Sequence, residues 1–480
     1  MNNRFLDFVK NFIYTISSNL ISTIISVATI LILPRVLSTE AYGYIQLYIF
    51  YVSYTTYLSF GIPDGIYIRY GGEDYNRIDK NMIAHQHLLS LIIVMFFSFI
   101  ITFILFTLNF EIKKLEILVY AFLSAIAMVP RLIVTFTLMT TNRMKLPAIV
   151  TIIERASYAI GIILLILLNI KAYKFYIAVE ILGKLFATTF IFLLCKEMFI
   201  IRNFNFSLAI KEINENFKVG INIVASAIAS ILIIGIIRFN ISSYWSISVF
   251  GKVSLILSIS SFLLVFVNSV AVVIFPVLCR MRFEKLKKIF HVANPLLQVS
   301  LIVLLMLYFP IEFILMNWLP KYTDSIAFLA IVFPICIFES KFALLMNTYF
   351  KILRKEKMIF KINAIVLLVS LLMSTILIRV FGNLYLAVGL IPILLGFRCL
   401  LSESILGKYL DEKINISILM SLLTCVIFII DINYLHGHRR IILYLLWCIF
   451  CVYIERKKFV YLYNLLKSKI LKGENLWEKY

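Results

Sequence analysis

Fourteen apolar runs of membrane-spanning length leave this chain few folds to choose from. They fall near residues 12–33, 44–63, 88–108, 115–141, 147–169, 173–195, 218–238, 250–275, 295–316, 325–349, 362–381, 384–406, 414–435 and 438–455. In lipid every backbone N–H and C=O must be satisfied within the structure, so runs of this kind are helices. At about 20 residues per spanning helix, fourteen helices use roughly 280 of the 480 positions. The remainder supplies loops and tails, and a large soluble domain does not fit. Composition agrees: 62% hydrophobic and 15% charged residues, with a mean hydropathy of +0.99, exclude an ordinary soluble or disordered protein. The expected fold class is an all-α polytopic membrane protein with about fourteen transmembrane helices.

The net charge of +21 is unusual for so apolar a chain. The basic residues sit in short loops between apolar runs rather than along one soluble face, so nucleic acid is not the expected partner. They sort instead by side of the membrane. With the N-terminus in the cytoplasm, the cytoplasmic segments hold 30 Lys and Arg and the outer segments 11. That bias follows the positive-inside rule and places both termini in the cytoplasm. The clusters Arg280–Lys288 and Lys351–Lys357 then orient helices and touch anionic headgroups. The run from Phe12 to Leu33 is too long for a signal-peptide core and lacks a small-residue cleavage site. Seven cysteines lie mostly inside apolar runs and read as buried thiols. His85-Gln-His87 and His436-Gly-His438 have no further ligands at metal-site spacing.

The chain resembles itself at an offset of 208 residues. Tyr42-Gly43-Tyr44-Ile45-Gln46-Leu47 lies over Phe250-Gly251-Lys252-Val253-Ser254-Leu255, and Ser22, Gln46 and Ser53 fall on Ser230, Ser254 and Ser261. The repeat predicts a six-helix lobe over 1–195, a basic cytoplasmic linker at 196–217 and a second six-helix lobe over 218–406. An added helix pair (407–455) and a basic tail (456–480) follow. Two like bundles of even span number suit an alternating-access transporter with a central cavity. Thr15, Asn19, Ser22, Ser26 and Thr29 share one face of the first span, and Ser254, Ser258, Ser261 and Asn268 line the eighth. Such stripes either bond neighbouring helices or line a wet cavity.

Ionisable groups at membrane depth cost about 2.5–3.5 kcal/mol each on insertion scales and are functional by default. Arg131, Arg155, Lys184, Lys341 and Arg398 lie within runs, with Glu154, Glu180, Glu339 and Glu403 as acidic counterparts. Glu180 and Lys184 share a helix face and can pair, whereas the adjacent Glu154 and Arg155 diverge. Pro130 should loosen the helix before Arg131 and free carbonyls toward a cavity. One reading is structural ion pairing between helices. The other is a cavity with a slight cationic excess, in which guanidinium groups bind a phosphate headgroup and the glutamates exchange H+ or Na+. No nucleophile–base constellation, phosphate-cradling glycine loop or resident cofactor is indicated, and no outer loop exceeds about fifteen residues. A catalytic function is therefore not expected.

Leu33-Pro34-Arg35-Val36-Leu37, Ala41-Tyr42-Gly43-Tyr44, Gly61-Ile62-Pro63-Asp64-Gly65-Ile66 and Arg69-Tyr70-Gly71 resemble the start of bacterial polysaccharide-biosynthesis flippases. These belong to the multidrug/oligosaccharidyl-lipid/polysaccharide exporter (MOP) superfamily. Lys218–Asn222, Phe250-Gly251-Lys252 and Phe275-Pro276 look similar too. The resemblance implies two helical lobes about a V-shaped cavity in a bacterial inner membrane. It also implies a substrate, an oligosaccharide carried on undecaprenyl pyrophosphate, turned from the cytoplasmic to the outer leaflet for O-antigen, capsule or exopolysaccharide. Membrane lipids and other polysaccharide assembly proteins are the implied partners of a monomer. Relatives often carry an acid before the basic residue ending span 7, but here Ile237 precedes Arg238. Arg35 and Arg238 remain implied headgroup contacts. The alternatives are a multidrug extruder, a lipid II flippase and, from another class, a polysaccharide polymerase or glycosyltransferase. The first run, free of Asp and Glu, does not suit cationic drugs.

Overall fold

The computed structural model describes residues 2–202, 205–279, 281–411, 416–435 and 437–471. Arg280, His436 and the tail from residue 472 lie outside the described residues, as do the side chains of Asn268 and Cys279.

Every apolar run becomes helix, and no strand occurs among the described residues. In chain order the helices are α1 (Asn2–Val36), α2 (Thr39–Thr55), α3 (Ile62–Arg69), α4 (Lys80–Thr107), α5 (Ile112–Thr140), α6 (Lys145–Leu167), α7 (Tyr173–Leu194), α8 (Phe206–Tyr244) and α9 (Ile247–Cys279). They continue with α10 (Phe283–Leu304), α11 (Tyr308–Trp318), α12 (Thr323–Val332), α13 (Ile335–Lys341), α14 (Asn347–Ile352), α15 (Glu356–Ile376), α16 (Leu384–Tyr409), α17 (Ile416–Tyr434) and α18 (His438–Leu471). Nine described helical stretches are long and apolar enough to cross a membrane, and a bent pair, Pro320–Val332 with Ile335–Ile352, makes a tenth. The chain is thus an all-helical, multi-pass membrane protein.

Two runs expected to be single helices are broken. The second stops at Thr55, passes through a 3-10 turn, and restarts as α3 after Phe60 (φ 49°) and Gly61 (φ 75°). Pro63 near the start of α3 suits a helix N-terminus, where the missing N–H costs nothing. The tenth run bends by 44° between α12 and α13, at Phe333 and Pro334. A π-helical turn, Phe342–Met346, then follows directly on Lys341. In the opposite direction, α8 begins at Phe206, well before the apolar run at 218, so half of the expected linker is helix.

The chain divides into two compact units, Met1–Ile228 with Ser246–Gly251, and Ala229–Trp245 with Lys252–Tyr480. Small residues bring helices together in the first. A Cβ on Gly220 would lie 1.9 Å from the Gly61 carbonyl oxygen, and one on Gly65 would lie 2.0 Å from that of Asn216. Only glycine permits such crossings. Gly43 and Gly251, in register at the offset of 208, also meet backbone to backbone: a Cβ on Gly251 would stand 2.7 Å from Gly43 Cα. Helix α5 runs unbroken through Pro130. The Ala127 carbonyl just before it accepts the Thr188 hydroxyl of α7 at 2.7 Å.

Candidate functional site

Polar side chains buried in an apolar helix bundle must find partners, and those expected to carry function do so within each unit. In the first, Arg131 on α5 is 6% exposed and binds the Glu154 carboxylate of α6. One turn of α7 pairs Lys184 Nζ with Glu180 Oε1 at 2.6 Å, and the same ammonium donates to Ser124 Oγ of α5 at 2.6 Å. The Tyr48 hydroxyl of α2 donates to the other Glu180 oxygen. Four helices are therefore tied by one polar layer.

Arg155 differs. Adjacent on α6 to Glu154, it points about 100° away around the helix, is only partly buried, and makes no ion pair or hydrogen bond among the described residues.

The second unit buries ion pairs of its own. At the offset of 208, Arg131 corresponds to Glu339. Glu339 on α13 binds Arg398 Nη2 of α16 at 2.6 Å. Arg398 Nη1 donates to Ser230 Oγ of α8 at 3.0 Å, and its guanidinium lies 4.0 Å from the Phe342 ring centroid. Two residues further on, Lys341 Nζ meets Glu403 at 2.8 Å, and Asn294 of α10 donates to the same carboxylate at 2.6 Å. The gap among Phe338, Lys341, Cys399 and Glu403 holds no volume open to water. Arg238 Nη2 donates to Ser254 Oγ at 3.0 Å, while Arg35 is exposed in the last turn of α1.

Two further acids, Glu312 and Asp431, lie inside the runs at 295–316 and 414–435, beside the four read from the sequence. Both are buried, on α11 and α17. Glu312 takes a bidentate pair from Arg440 of α18, at 2.8 and 3.0 Å, with the Tyr308 hydroxyl at 3.2 Å. The signal was legible, since a lone acid in an apolar run needs a partner. The polar stripe of α1 is more modest: Ser26 and Thr29 bond carbonyls one turn back on their own helix. His85 and His87 sit on α4 with hydrogen-bond partners rather than as ligands. An apolar groove of 590 Å³ in the first unit, bordered by Leu89, Ile93, Phe97, Ile210 and Phe217, takes in none of these charged groups.

A family model described as polysaccharide biosynthesis protein matches residues 8–282. No curated protein matches the sequence. Among solved structures, the chain is similar to the lipid II flippase MurJ in an inward closed conformation, at 15% identity and a TM-score of 0.64, covering 95% of this chain and 100% of that one. It is similar to an inward-facing multidrug resistance MATE family transporter of the MOP superfamily, at 14% identity and a TM-score of 0.60, covering 83% and 95%. A further likeness is to a MOP superfamily transporter from Pyrococcus furiosus, at 13% identity and a TM-score of 0.50, covering 84% and 97%. At these identities the likeness concerns the fold.

Proposed function

The chain belongs to the polysaccharide biosynthesis protein family, and from this premise we propose that it is a flippase rather than an enzyme. It turns a lipid-linked oligosaccharide, carried on undecaprenyl pyrophosphate, from the cytoplasmic to the outer leaflet of a bacterial inner membrane by alternating access. Membrane lipids surround it, and the enzymes that build and polymerise the glycan are its working partners.

The observation that carries this reading is Arg155, a partly exposed guanidinium at membrane depth that makes no salt bridge or hydrogen bond among the described residues, the neighbouring Glu154 being bound by Arg131. A pyrophosphate diester brings about two negative charges, and guanidinium groups bind phosphate bidentately. Moving each charge outward across an inside-negative potential gains about 2.3 kcal/mol per 100 mV, so the direction is favourable. Arg35 and Arg238 are the further headgroup contacts. Arg131, Lys184, Lys341 and Arg398, each already neutralised, tie helices together instead. Coupling to H+ or Na+ falls to Glu180 and Glu339, whose side chains keep 15% and 21% of their surface, against 11% for Glu154 and 5% for Glu403.

The test is complementation of a strain lacking the gene. Arg155→Ala should lose surface glycan while the protein persists in the membrane. Full glycan with Arg155→Ala would remove the headgroup contact from the proposal, and unchanged glycan in the deletion strain would remove the pathway.

A further inference from the structure

Residues 196–202 and 205–217 are fastened to the first turns of α4 and to α3 inside the first unit. Lys80 Nζ meets Glu197 at 2.6 Å, Asn81 Oδ1 accepts the Arg202 N–H at 3.1 Å, and Gln86 Oε1 accepts Asn216 Nδ2 at 2.6 Å. His85 sits in the middle of this row and is 2% exposed. Its Nδ1 lies 2.6 Å from the Asn81 carbonyl oxygen, and its Nε2 lies 3.2 Å from the backbone nitrogen of Asn205. A carbonyl oxygen only accepts and a backbone N–H only donates. Both contacts are made together only by the neutral ring with its proton on Nδ1. Asn205 in turn caps α8: its Oδ1 accepts the Leu208 N–H at 3.2 Å, and its carbonyl accepts the Ala209 N–H at 3.1 Å.

We propose that His85 is a pH-sensitive latch on the start of α8. The neutral ring holds the capping residue Asn205 against α4, and protonation sets an Nε2–H donor against the Asn205 N–H donor and releases the first turn. The sign follows from proton count: the latched form binds one proton fewer, so acid favours release. The positive-inside reading places this end of α4 in the cytoplasm, making cytoplasmic acidification the stimulus.

Charged and titratable groups on the same elements have partners of their own. Arg69 of α3 is held by Glu212 at 2.9 Å and Glu215 at 2.6 Å, and Tyr70 donates to Glu212 at 3.3 Å. Hydrogen bonding from Lys80 keeps the Glu197 carboxyl below its ordinary range, so it stays ionised as histidine titrates. His87 makes edge contact with Phe199, ring centroids 4.7 Å apart, and lies 3.3 Å from the Pro130 carbonyl oxygen. Arg202 adds a positive charge on the segment itself.

Amide hydrogen exchange on the full-length protein in lipid nanodiscs tests the latch, with rates corrected for the intrinsic effect of pH. In wild type the amides of 205–209 should exchange about tenfold faster at about pH 5.5 than at about pH 7.5, the loss of one buried hydrogen bond. His85→Gln, which can donate to Asn81 O and accept from Asn205 N–H, should stay protected at both. His85→Lys should be unprotected at both. An equal response in wild type and His85→Gln overturns the proposal. Should His85→Gln fail to accumulate, amides 115–120 of α5 serve as the reference within wild type, and loss of protection no greater at 205–209 than there overturns it equally.

Discussion

Arg131 and Arg155 lie on neighbouring helices and carry the same charge, yet their substitution should fail in different ways. Removing Arg131 strands the Glu154 carboxylate, which is 9% exposed and binds that guanidinium. Breaking a buried pair from one side costs about 3–5 kcal/mol, because the remaining charge is left uncompensated. Arg131→Ala should therefore lower the amount of folded protein, and Arg131→Ala with Glu154→Ala should recover most of it. Quantitative immunoblotting of membranes checks both, and a double variant no better than the single one sinks the pairing argument. Arg155→Ala leaves no such orphan and should lose transport at normal abundance. The sequence alone could not separate these two arginines. It showed the in-span charges and the i,i+4 spacing of Glu180 and Lys184, but Arg131 finds its acid 23 residues away and Arg398 finds Glu339 59 residues away. Partners on other helices are set by rotation and depth of packing, which no local pattern encodes.

At the scale of the element, glycine placement decides where helices cross. Gly65→Ala sets a methyl group 2.0 Å from the Asn216 carbonyl oxygen, with neighbouring backbone atoms at 2.6 and 2.7 Å. Backbone cannot yield as a side chain would, so this variant should lower the thermal midpoint of the purified protein by several degrees or fail to accumulate. Gly389→Ala, on α16, meets only Ile331 Cγ2 at 3.9 Å. It should be neutral or slightly stabilising, since alanine favours helix over glycine by about 1 kcal/mol. Fluorescence thermal-shift measurements on both variants make the comparison, and equal midpoints would show that the α3–α8 crossing tolerates separation. Helix existence was readable from apolar length throughout. The breaks were not read at Gly61-Ile62-Pro63 or Phe333-Pro334, although glycine and proline stand at the first and proline at the second, because continuous hydrophobicity masks a backbone turn that membrane neighbours satisfy. The early start of α8 was missed for the opposite reason: Lys211, Glu212 and Glu215 made it look like linker, whereas the two glutamates hold Arg69.

For the whole molecule, function requires a direction, and direction rests on the sorting of basic residues. Parity ties that sorting together: if all fourteen apolar runs cross, exchanging inside for outside moves every loop at once, so two loops on each side decide it. Arg77, with 81% of its side chain exposed, and Lys357, also exposed, belong to the basic side. Lys171 and Arg439, both exposed, belong to the other. Each can be replaced by cysteine without disturbing a buried contact. The native thiols leave a quiet background, because all six described cysteines are buried. Cys195, just past the end of α7, has its thiol pushed up by burial and offers little thiolate at neutral pH. A membrane-impermeant maleimide applied to intact cells should therefore label Lys171→Cys and Arg439→Cys at once, and Arg77→Cys and Lys357→Cys only after permeabilisation. The reverse pattern would invert the protein, turn the potential against outward movement of the pyrophosphate, and expose the His85 latch to the wrong compartment. Labelling of Lys171→Cys together with Lys357→Cys would break the parity and with it the count of crossings between them.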